Sequence, residues 1–185
     1  MNHRVLVIGL DCAPPAWVFD QWLEDLPNLK RLADSGCYGS LESTIPPITV
    51  PAWMSMMTGR DPGTLGIYGF RNRKDHSYTA LNFANSRMVR QPTAWDLCGL
   101  KDKKVVVMGV PLTYPPRPVN GSLICGFLAP GKESDFTYPP ELKEEINRIS
   151  PDYQLDVRDF RTDDKDYLLR QIDEMTEARF TLAAE

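Results

Sequence analysis

Two side chains, a threonine hydroxyl and an aspartate carboxylate, have the type and the placement that chemistry requires. Thr49 comes two residues before Pro51, which suits the first position of a short helix ended by Gly59, so its hydroxyl would face open backbone donors and the positive end of the helix dipole. Asp11 follows the apolar residues 5–10, a run typical of a buried strand, and open α/β sheets bind ligands at the carboxyl ends of their strands. The sequence therefore predicts that a hydroxyl nucleophile and a hard anionic ligand converge.

An alternation of apolar runs and helical patterns supplies the elements that would position these two residues. This rhythm predicts an α/β fold with a mostly parallel sheet and helices on both of its faces. The predicted strands are residues 5–10, 38–44, 105–108 and 123–125. The predicted helices are residues 29–33, ended by Ser35 and Gly36, the helix near Thr49, residues 94–98, a helix opened by Pro139 and Pro140 that carries Leu142 and Ile146, and a final amphipathic helix.

The final helix is predicted from a cap and an apolar stripe. Thr162 is the expected cap, and the stripe consists of Leu168, Ile172, Met175 and Leu182. A surface helix normally buries such a stripe on the sheet of its own chain, which is favoured here over a partner surface.

Two regions carry neither a helical nor a strand pattern. Residues 60–92 turn polar and are predicted as a loop region with a short hairpin, and polar loops at the mouth of a sheet are frequent places for substrate contacts. Residues 111–118 contain four prolines, so they are predicted as a fixed loop at the end of a strand, bordering the site.

Composition indicates one globular domain, residues 1–185, in an aqueous setting. The chain of 185 residues is long enough for one real core, and its net charge of −4 gives no basic field for nucleic acid. Four scattered cysteines without a C-x-x-C pair favour reduced thiols, and no run approaches the roughly 20 apolar residues of a membrane span. We expect a cytoplasmic protein whose partners include no nucleic-acid polymer and no membrane, with homo-oligomer formation left open.

Several short motifs occur along the chain, and their order and spacing are more specific than any single motif. They are residues 7–11 (VIGLD), 26–33 (LPNLKRLA), 48–53 (ITVPAW), 58–62 (TGRDP) and 66–67 (GI), with residues 109–111, 114–116 and 126–130 as a later set. Together these motifs resemble the alkaline phosphatase superfamily, and most closely its type I phosphodiesterase/nucleotide pyrophosphatase branch.

The resemblance implies a partial alkaline-phosphatase-like core and a metal-dependent phosphohydrolase that cleaves phosphodiester or phosphoanhydride bonds of a small phosphorylated substrate, nucleotides included. It implies two divalent metal ions, zinc or alternatively manganese, which would polarise the phosphorus and stabilise the attacking and leaving oxygens. Thr49 would be the nucleophile and a metal ligand, Asp11 would bind one metal, and the Asn72 amide would hold a phosphate oxygen. From the residues alone, Thr49 as a helix cap, Asp11 as a turn cap and Asn72 as a solvated loop residue stay open.

Departures from the family pattern limit what the resemblance implies. Ala52-Trp53 stands where many relatives have Asn-His, and Leu65 replaces the usual histidine before Gly66, which puts the preference for nucleotides in doubt. The only histidines are His3 and His76, read as a terminal residue and a solvated loop residue. One acid and one hydroxyl cannot fill two coordination shells. We therefore expect the amino-terminal part of a longer catalytic domain, with the remaining ligands outside this chain and weak or no activity in the chain alone.

Other functions stay open at this stage. A phosphomutase or a phosphomonoesterase of the same superfamily also uses a Ser or Thr nucleophile, whereas Thr49 argues against a sulfatase. A non-catalytic α/β interaction module that has lost its metal site is the alternative from another class.

Overall fold

A computed structural model describes residues 4–185, and the chain divides into two compact units, Met1–Ser43 and Thr44–Glu185. In the first unit, a π-helical turn, Ala16–Gln21, and a 3-10 turn, Leu23–Asp25, lead into α1, Pro27–Ser35. Gly36 follows α1, which confirms the helix predicted around residues 29–33. None of residues 4–43 is fully buried.

The predicted strands in the first unit are wrong. Residues 5–10 form no strand, and their side chains are exposed, from 86% for Val5 to 57% for Leu10. Residues 38–44 also form no strand, and Leu41 is 86% exposed. A strand needs a neighbour that accepts its hydrogen bonds and covers its apolar face. Neither segment has such a neighbour among the described residues, so apolar content alone does not produce a strand here.

The second unit contains the remaining helices and all of the strands that the structure describes. Its helices are α2 Thr49–Thr58, α3 Pro62–Leu65, a 3-10 turn Ser86–Met88, α4 Ala94–Gly99, α5 Leu142–Ile149 and α6 Lys165–Ala184. Its strands are β1 Arg71–Arg73, β2 Leu81–Phe83, β3 Val105–Met108, β4 Gly121–Ile124 and β5 Thr137–Tyr138.

Two small sheets correct the predicted sheet while leaving the α/β class intact. β1 and β2 form an antiparallel hairpin within the predicted polar loop region. The second sheet has the order β3-β4-β5, with β3 and β4 parallel and β4 and β5 antiparallel. The expectation of a mostly parallel sheet is therefore wrong, because the chain after β4 turns back through residues 125–136 and lays β5 beside β4 in the opposite direction.

Two apolar clusters form the core of the second unit. The first lies around the β3-β4-β5 sheet and contains Val107, Leu123, Ile124, Cys125, Phe136, Ile146, Tyr153 and Leu155. The second lies around α2 and contains Val50, Met54, Ile67, Ala84, Val89 and Leu112. Because Trp95 and Val110 pack against both clusters, the core is continuous from the sheet to α2.

The last helix differs from its prediction in its cap and in one residue of its stripe. Asp164, rather than Thr162, caps α6 by accepting a hydrogen bond from the amide of Tyr167. The buried residues of α6 are Gln171 and Ala178. Leu168, Met175 and Leu182 of the predicted stripe are half-buried, and Leu182 packs on the first apolar cluster, whereas Ile172 is 37% exposed. The Gln171 amide exchanges two hydrogen bonds with the Arg158 backbone, at 2.9 and 3.2 Å. Polar contacts with the preceding loop therefore fix which side of α6 faces inward.

The described residues contain no helix that is long and apolar enough to cross a membrane. The four cysteines are free thiols, and only Cys125 is buried.

Candidate functional site

Thr49 is the first residue of α2, which begins three residues after Pro46. The Ile48 amide donates to the Pro46 carbonyl at 2.9 Å, and the Ile48 carbonyl then accepts the first helical hydrogen bond, from Ala52, at 3.0 Å. The helix ends at Gly59, whose φ of +66° lies in the left-handed region. Gly59 adopts this conformation without the steric penalty of a Cβ atom. The helix therefore ends at Gly59 as the sequence predicts, but it begins two residues earlier than predicted, with Thr49 in the first position and Pro51 in the third.

Burial of one side of α2 holds Thr49 in place. Val50 is 0% exposed and Met54 is 1% exposed, and both belong to the second apolar cluster together with Leu112, which follows β3. Thr49 itself is half-buried. A tightly packed neighbour at the next position restricts the backbone of Thr49, as a side chain that must meet a substrate requires.

The Thr49 hydroxyl is free of protein hydrogen bonds in the described residues, and no side chain caps α2. This arrangement contradicts the interpretation of Thr49 as a helix cap. The Thr49 and Val50 amides precede the first helical hydrogen bond and have no backbone acceptor there, while Pro51 has no N–H to offer. Because Val50 is 0% exposed, the donors that the start of α2 presents are the Thr49 hydroxyl and the Thr49 amide, a combination suited to a negatively charged oxygen.

Asn72 lies in β1 and is 7% exposed. Its Nδ2 donates to the Gly69 carbonyl and its Oδ1 accepts from the Tyr68 amide, both at 2.9 Å, so its amide fixes the turn before β1. A Cβ atom at Gly69 would lie 3.9 Å from Ile48 Cδ1. The Asn72 turn is therefore close to Ile48, the residue before Thr49, and one hydrogen of Nδ2 is left for another acceptor.

The loops at the carboxyl ends of β3 and β4 lie against each other and against α2. The Thr113 hydroxyl donates to the Val110 carbonyl at 2.7 Å and accepts from the Gly126 amide at 3.0 Å. A Cβ atom at Gly126 would lie 2.5 Å from the Val110 oxygen, so only glycine allows this approach. Val110 and Leu128 pack on the α2 cluster. The helix that carries Thr49 is therefore supported by the loops at the carboxyl ends of two parallel strands. Residues 111–118 form one of these loops, at the end of a strand as predicted.

Cys125 follows β4 and is a structural thiol. It is 0% exposed, and its Sγ donates to the Thr113 carbonyl at 3.2 Å. Burial raises the pKa of Cys125 to about 12. Because the thiolate is the reactive form, this thiol is not a nucleophile at neutral pH.

Asp61, within the 58–62 motif, also has a structural task. It caps α3, with its Oδ1 accepting from the Thr64 amide at 2.9 Å and its Oδ2 from the Thr64 hydroxyl at 2.7 Å. These two hydrogen bonds hold the pKa of Asp61 below its usual value, and the hydrogen bond from the Thr64 hydroxyl has the larger effect. The motif therefore ends α2 and begins α3.

Phe70 and Phe127 were not singled out as site residues by the sequence. Their ring centroids are 5.9 Å apart with a 56° tilt, so this pair joins the turn before β1 to the loop after β4. Phe127 lies inside the 126–130 motif. That position is the one feature of the sequence that could have indicated a role for this residue.

Asp11 lies in the first unit, whereas Thr49 and Asn72 lie in the second. Asp11 is exposed, and its Oδ1 accepts from the Cys12 amide at 3.1 Å, as in the alternative of an acid capping a turn. The convergence of Asp11 with Thr49 stays a prediction. His76 is exposed in the β1-β2 connection, and His3 lies outside the described residues.

The fit to divalent metal ions is partial. Among residues 4–185, no group of three His, Cys, Asp or Glu side chains is close enough to hold a metal ion. Asp11 and Thr49 each offer a hard oxygen, which suits a divalent cation. A tetrahedral zinc site needs four ligands, so these two residues would supply only part of it.

Comparison with known proteins places the chain in a family. The family model described as type I phosphodiesterase / nucleotide pyrophosphatase matches residues 5–183. No curated protein and no solved structure gave a significant match.

Proposed function

The chain belongs to the type I phosphodiesterase / nucleotide pyrophosphatase family, within the alkaline phosphatase superfamily, and we propose that it carries the nucleophile of a metal-dependent phosphohydrolase. The family level implies a hydrolase that acts on phosphate esters. The finer proposal is that Thr49 attacks a phosphodiester or a phosphoanhydride of a small substrate, with nucleotides among the candidates. The observation that carries it is the unpartnered Thr49 hydroxyl beside the unpaired Thr49 amide at the start of α2.

The proposed reaction forms a bond between Thr49 Oγ and the phosphorus and breaks the bond from phosphorus to the leaving oxygen. The hydroxyl proton passes to solvent, and water later cleaves the phosphothreonine. The unpaired Thr49 amide lies at the positive end of α2, where a developing negative charge gains most from a donor. The remaining hydrogen of Asn72 Nδ2 would hold a second phosphate oxygen.

A threonine hydroxyl is a poor nucleophile at neutral pH. A divalent cation held by Asp11 and Thr49, zinc or manganese, would lower the hydroxyl pKa when bound. Because the described residues provide these two ligands and no cluster of three, we expect weak zinc binding and little or no turnover of bis-p-nitrophenyl phosphate by this chain alone.

A trapping experiment tests the nucleophile without requiring turnover. The chain is incubated with zinc and bis-p-nitrophenyl phosphate, quenched in acid and examined by peptide mass spectrometry. We expect a p-nitrophenylphosphoryl group on Thr49, none in Thr49→Ala, and an unchanged yield in Thr58→Ala. Thr58 is the matched control because it lies at the other end of the same helix, where its hydroxyl donates to the Met54 carbonyl at 2.6 Å.

Other outcomes of the trapping experiment select among the alternatives. An adduct formed only from p-nitrophenyl phosphate would indicate a phosphomonoesterase or phosphomutase. Absence of any adduct, together with zinc affinity that is the same in the wild type, Asp11→Asn and Thr49→Ala, would support the non-catalytic module. Rapid turnover that is lost in Thr49→Ala would support the nucleophile but contradict the expected weak activity.

A further inference from the structure

A cavity of about 490 Å³ is lined by residues 63–66 together with Met88, Arg90 and Gln91. Its volume falls in the range of about 300–1,000 Å³ that small-molecule sites occupy. None of the candidate site residues Asp11, Thr49 and Asn72 lines it.

The walls of the cavity combine apolar and polar groups. Leu65 and Met88 are half-buried and pack against the α2 cluster, so their inner sides rest on a fixed core. Gln91 is half-buried and supplies an amide. Gly66, with φ of +66° and no atom within 4 Å of a Cβ position, leaves its side of the cavity open. A ligand would thus meet an apolar wall on one side and hydrogen-bonding groups on another.

Arg90 is the one cationic side chain that lines this cavity. Within residues 4–185 the ion pairs are Lys30–Glu24, Arg117–Asp96 and Arg148–Glu145, and none includes Arg90. Arg117 shows how this chain uses an arginine structurally, since its two Nη atoms donate to the Val89 carbonyl and to Asp96. Among residues 4–185, the Arg90 guanidinium makes no such ion pair with a carboxylate. A guanidinium stays charged at all physiological pH values and matches the geometry of a carboxylate or a phosphate.

The acids nearest in sequence to the two walls of the cavity already have partners. Asp96, the acid nearest to Arg90, pairs with Arg117. Asp61, the acid nearest to residues 63–66, directs both of its carboxylate oxygens to Thr64, at 2.7 and 2.9 Å. The Thr64 hydroxyl donates its hydrogen to Asp61, so toward the cavity it offers an acceptor only. Among the side chains that line the cavity, the Arg90 guanidinium and the Gln91 amide can donate to a ligand, and the charge of Arg90 favours an anion.

We propose that this cavity binds a small organic anion, with its phosphate or carboxylate group on Arg90 and Gln91 and a compact apolar group on Leu65 and Met88. The proposal rests on these lining residues and does not depend on the proposed Thr49 chemistry.

The test uses the full chain in EDTA at low ionic strength, so that no metal ion contributes. Phenyl phosphate and benzoate are the anionic probes, benzyl alcohol is the neutral one, and binding is followed by amide chemical shifts in NMR spectra. We expect saturable shifts at residues 63–66 and 88–91. Removing the guanidinium in Arg90→Gln should weaken binding by about tenfold or more, as expected for loss of a charge-assisted hydrogen bond. Gln91→Glu should weaken it as well, because the new carboxylate would pair with Arg90.

Two variants serve as controls. Arg87→Gln removes an exposed arginine of the same segment that does not line the cavity, and it should leave binding unchanged. Thr49→Ala should also leave it unchanged. Binding of either anion through Arg90 supports the proposal. It is overturned if neither anion binds, if benzyl alcohol binds equally well, if Arg87→Gln weakens binding as much as Arg90→Gln, or if only Thr49→Ala has an effect.

Discussion

Residues 5–10 and α2 are both apolar segments next to a candidate site residue, yet they have opposite environments. In residues 5–10 the exposed fraction of Val5, Leu6 and Val7 lies between 69% and 86%, and no backbone hydrogen bond joins this segment to the rest of the described chain. In α2, Val50 and Met54 are almost completely buried. A helix satisfies its own amides and needs only one apolar contact face, whereas a strand depends on a second strand for both hydrogen bonds and cover.

The same contrast holds for the two candidate metal ligands. Thr49 lies in a helix whose own sequence supplies its end and its buried face, and the Thr49 amide is unpaired. Asp11 follows an exposed segment, and its carboxylate accepts a hydrogen bond from the amide of the next residue, Cys12. Preorganisation of a catalytic oxygen requires a rigid support. The structure provides that support for Thr49. Whether Asp11 is supported in the same way is what the predictions below test.

Hydrogen exchange should show the largest difference between the two segments. Amides of residues 6–10 should exchange at the rates of an unstructured peptide. Amides in the second half of α2 should exchange more slowly by a factor of about a thousand or more, since core elements open only with much of the global stability of about 5–15 kcal/mol. The measurement is exchange-quenched NMR or mass spectrometry of the native chain. Strong protection of the amides of residues 6–10 would instead show that they form the hydrogen bonds of a strand, and the contrast with α2 would then be wrong.

Truncation of one apolar side chain in each segment should give the next largest effect. Met54 is 1% exposed and Leu6 is 84% exposed. Met54→Ala removes buried atoms and leaves a cavity, so it should lower the free energy of unfolding by about 2–5 kcal/mol. Leu6→Ala should change it by no more than about 0.5 kcal/mol. Urea denaturation followed by circular dichroism measures both, and an equal loss in the two variants would show that residues 5–10 are buried in solution.

Local sequence signals predicted the elements that depend on local interactions. α1 with Pro27 in its first turn, α2 with Gly59 and α4 after Thr93 form as expected, and Thr93 and Asp96 complete a reciprocal capping box at α4. The β1-β2 hairpin and strand β3 also form where they were predicted. Family motifs identified the family, which the match over residues 5–183 confirms.

Features that depend on contacts between distant parts of the chain could not be predicted from the sequence. The strand pattern in residues 5–10 contains no information about whether a partner strand is present. At α6, Thr162 and Asp164 are both good capping residues, and the burial of the polar residue Gln171 follows from its hydrogen bonds with Arg158. In the candidate site, the approach of the Asn72 turn to Ile48 and the pairing of Phe70 with Phe127 each join separate stretches of the chain. The Arg90 cavity likewise combines residues 63–66 with residues 88–91.

Alanine at two glycines provides the smallest and most specific test of the comparison. Gly59 ends α2 with φ of +66°, and Gly39 lies in the first unit without a positive φ; a Cβ atom at either position would meet no atom within 4 Å. Space is therefore equal at the two sites, and only backbone conformation differs. Gly59→Ala should lower the free energy of unfolding by about 1–2 kcal/mol, the cost of a left-handed conformation for a residue with a Cβ atom. Gly39→Ala should cost nothing, or should stabilise by up to about 1 kcal/mol by restricting the unfolded chain. A destabilisation at Gly39 as large as that at Gly59 would mean that the first unit fixes its backbone as firmly as α2 does, and the contrast between the two supports of the site would not hold.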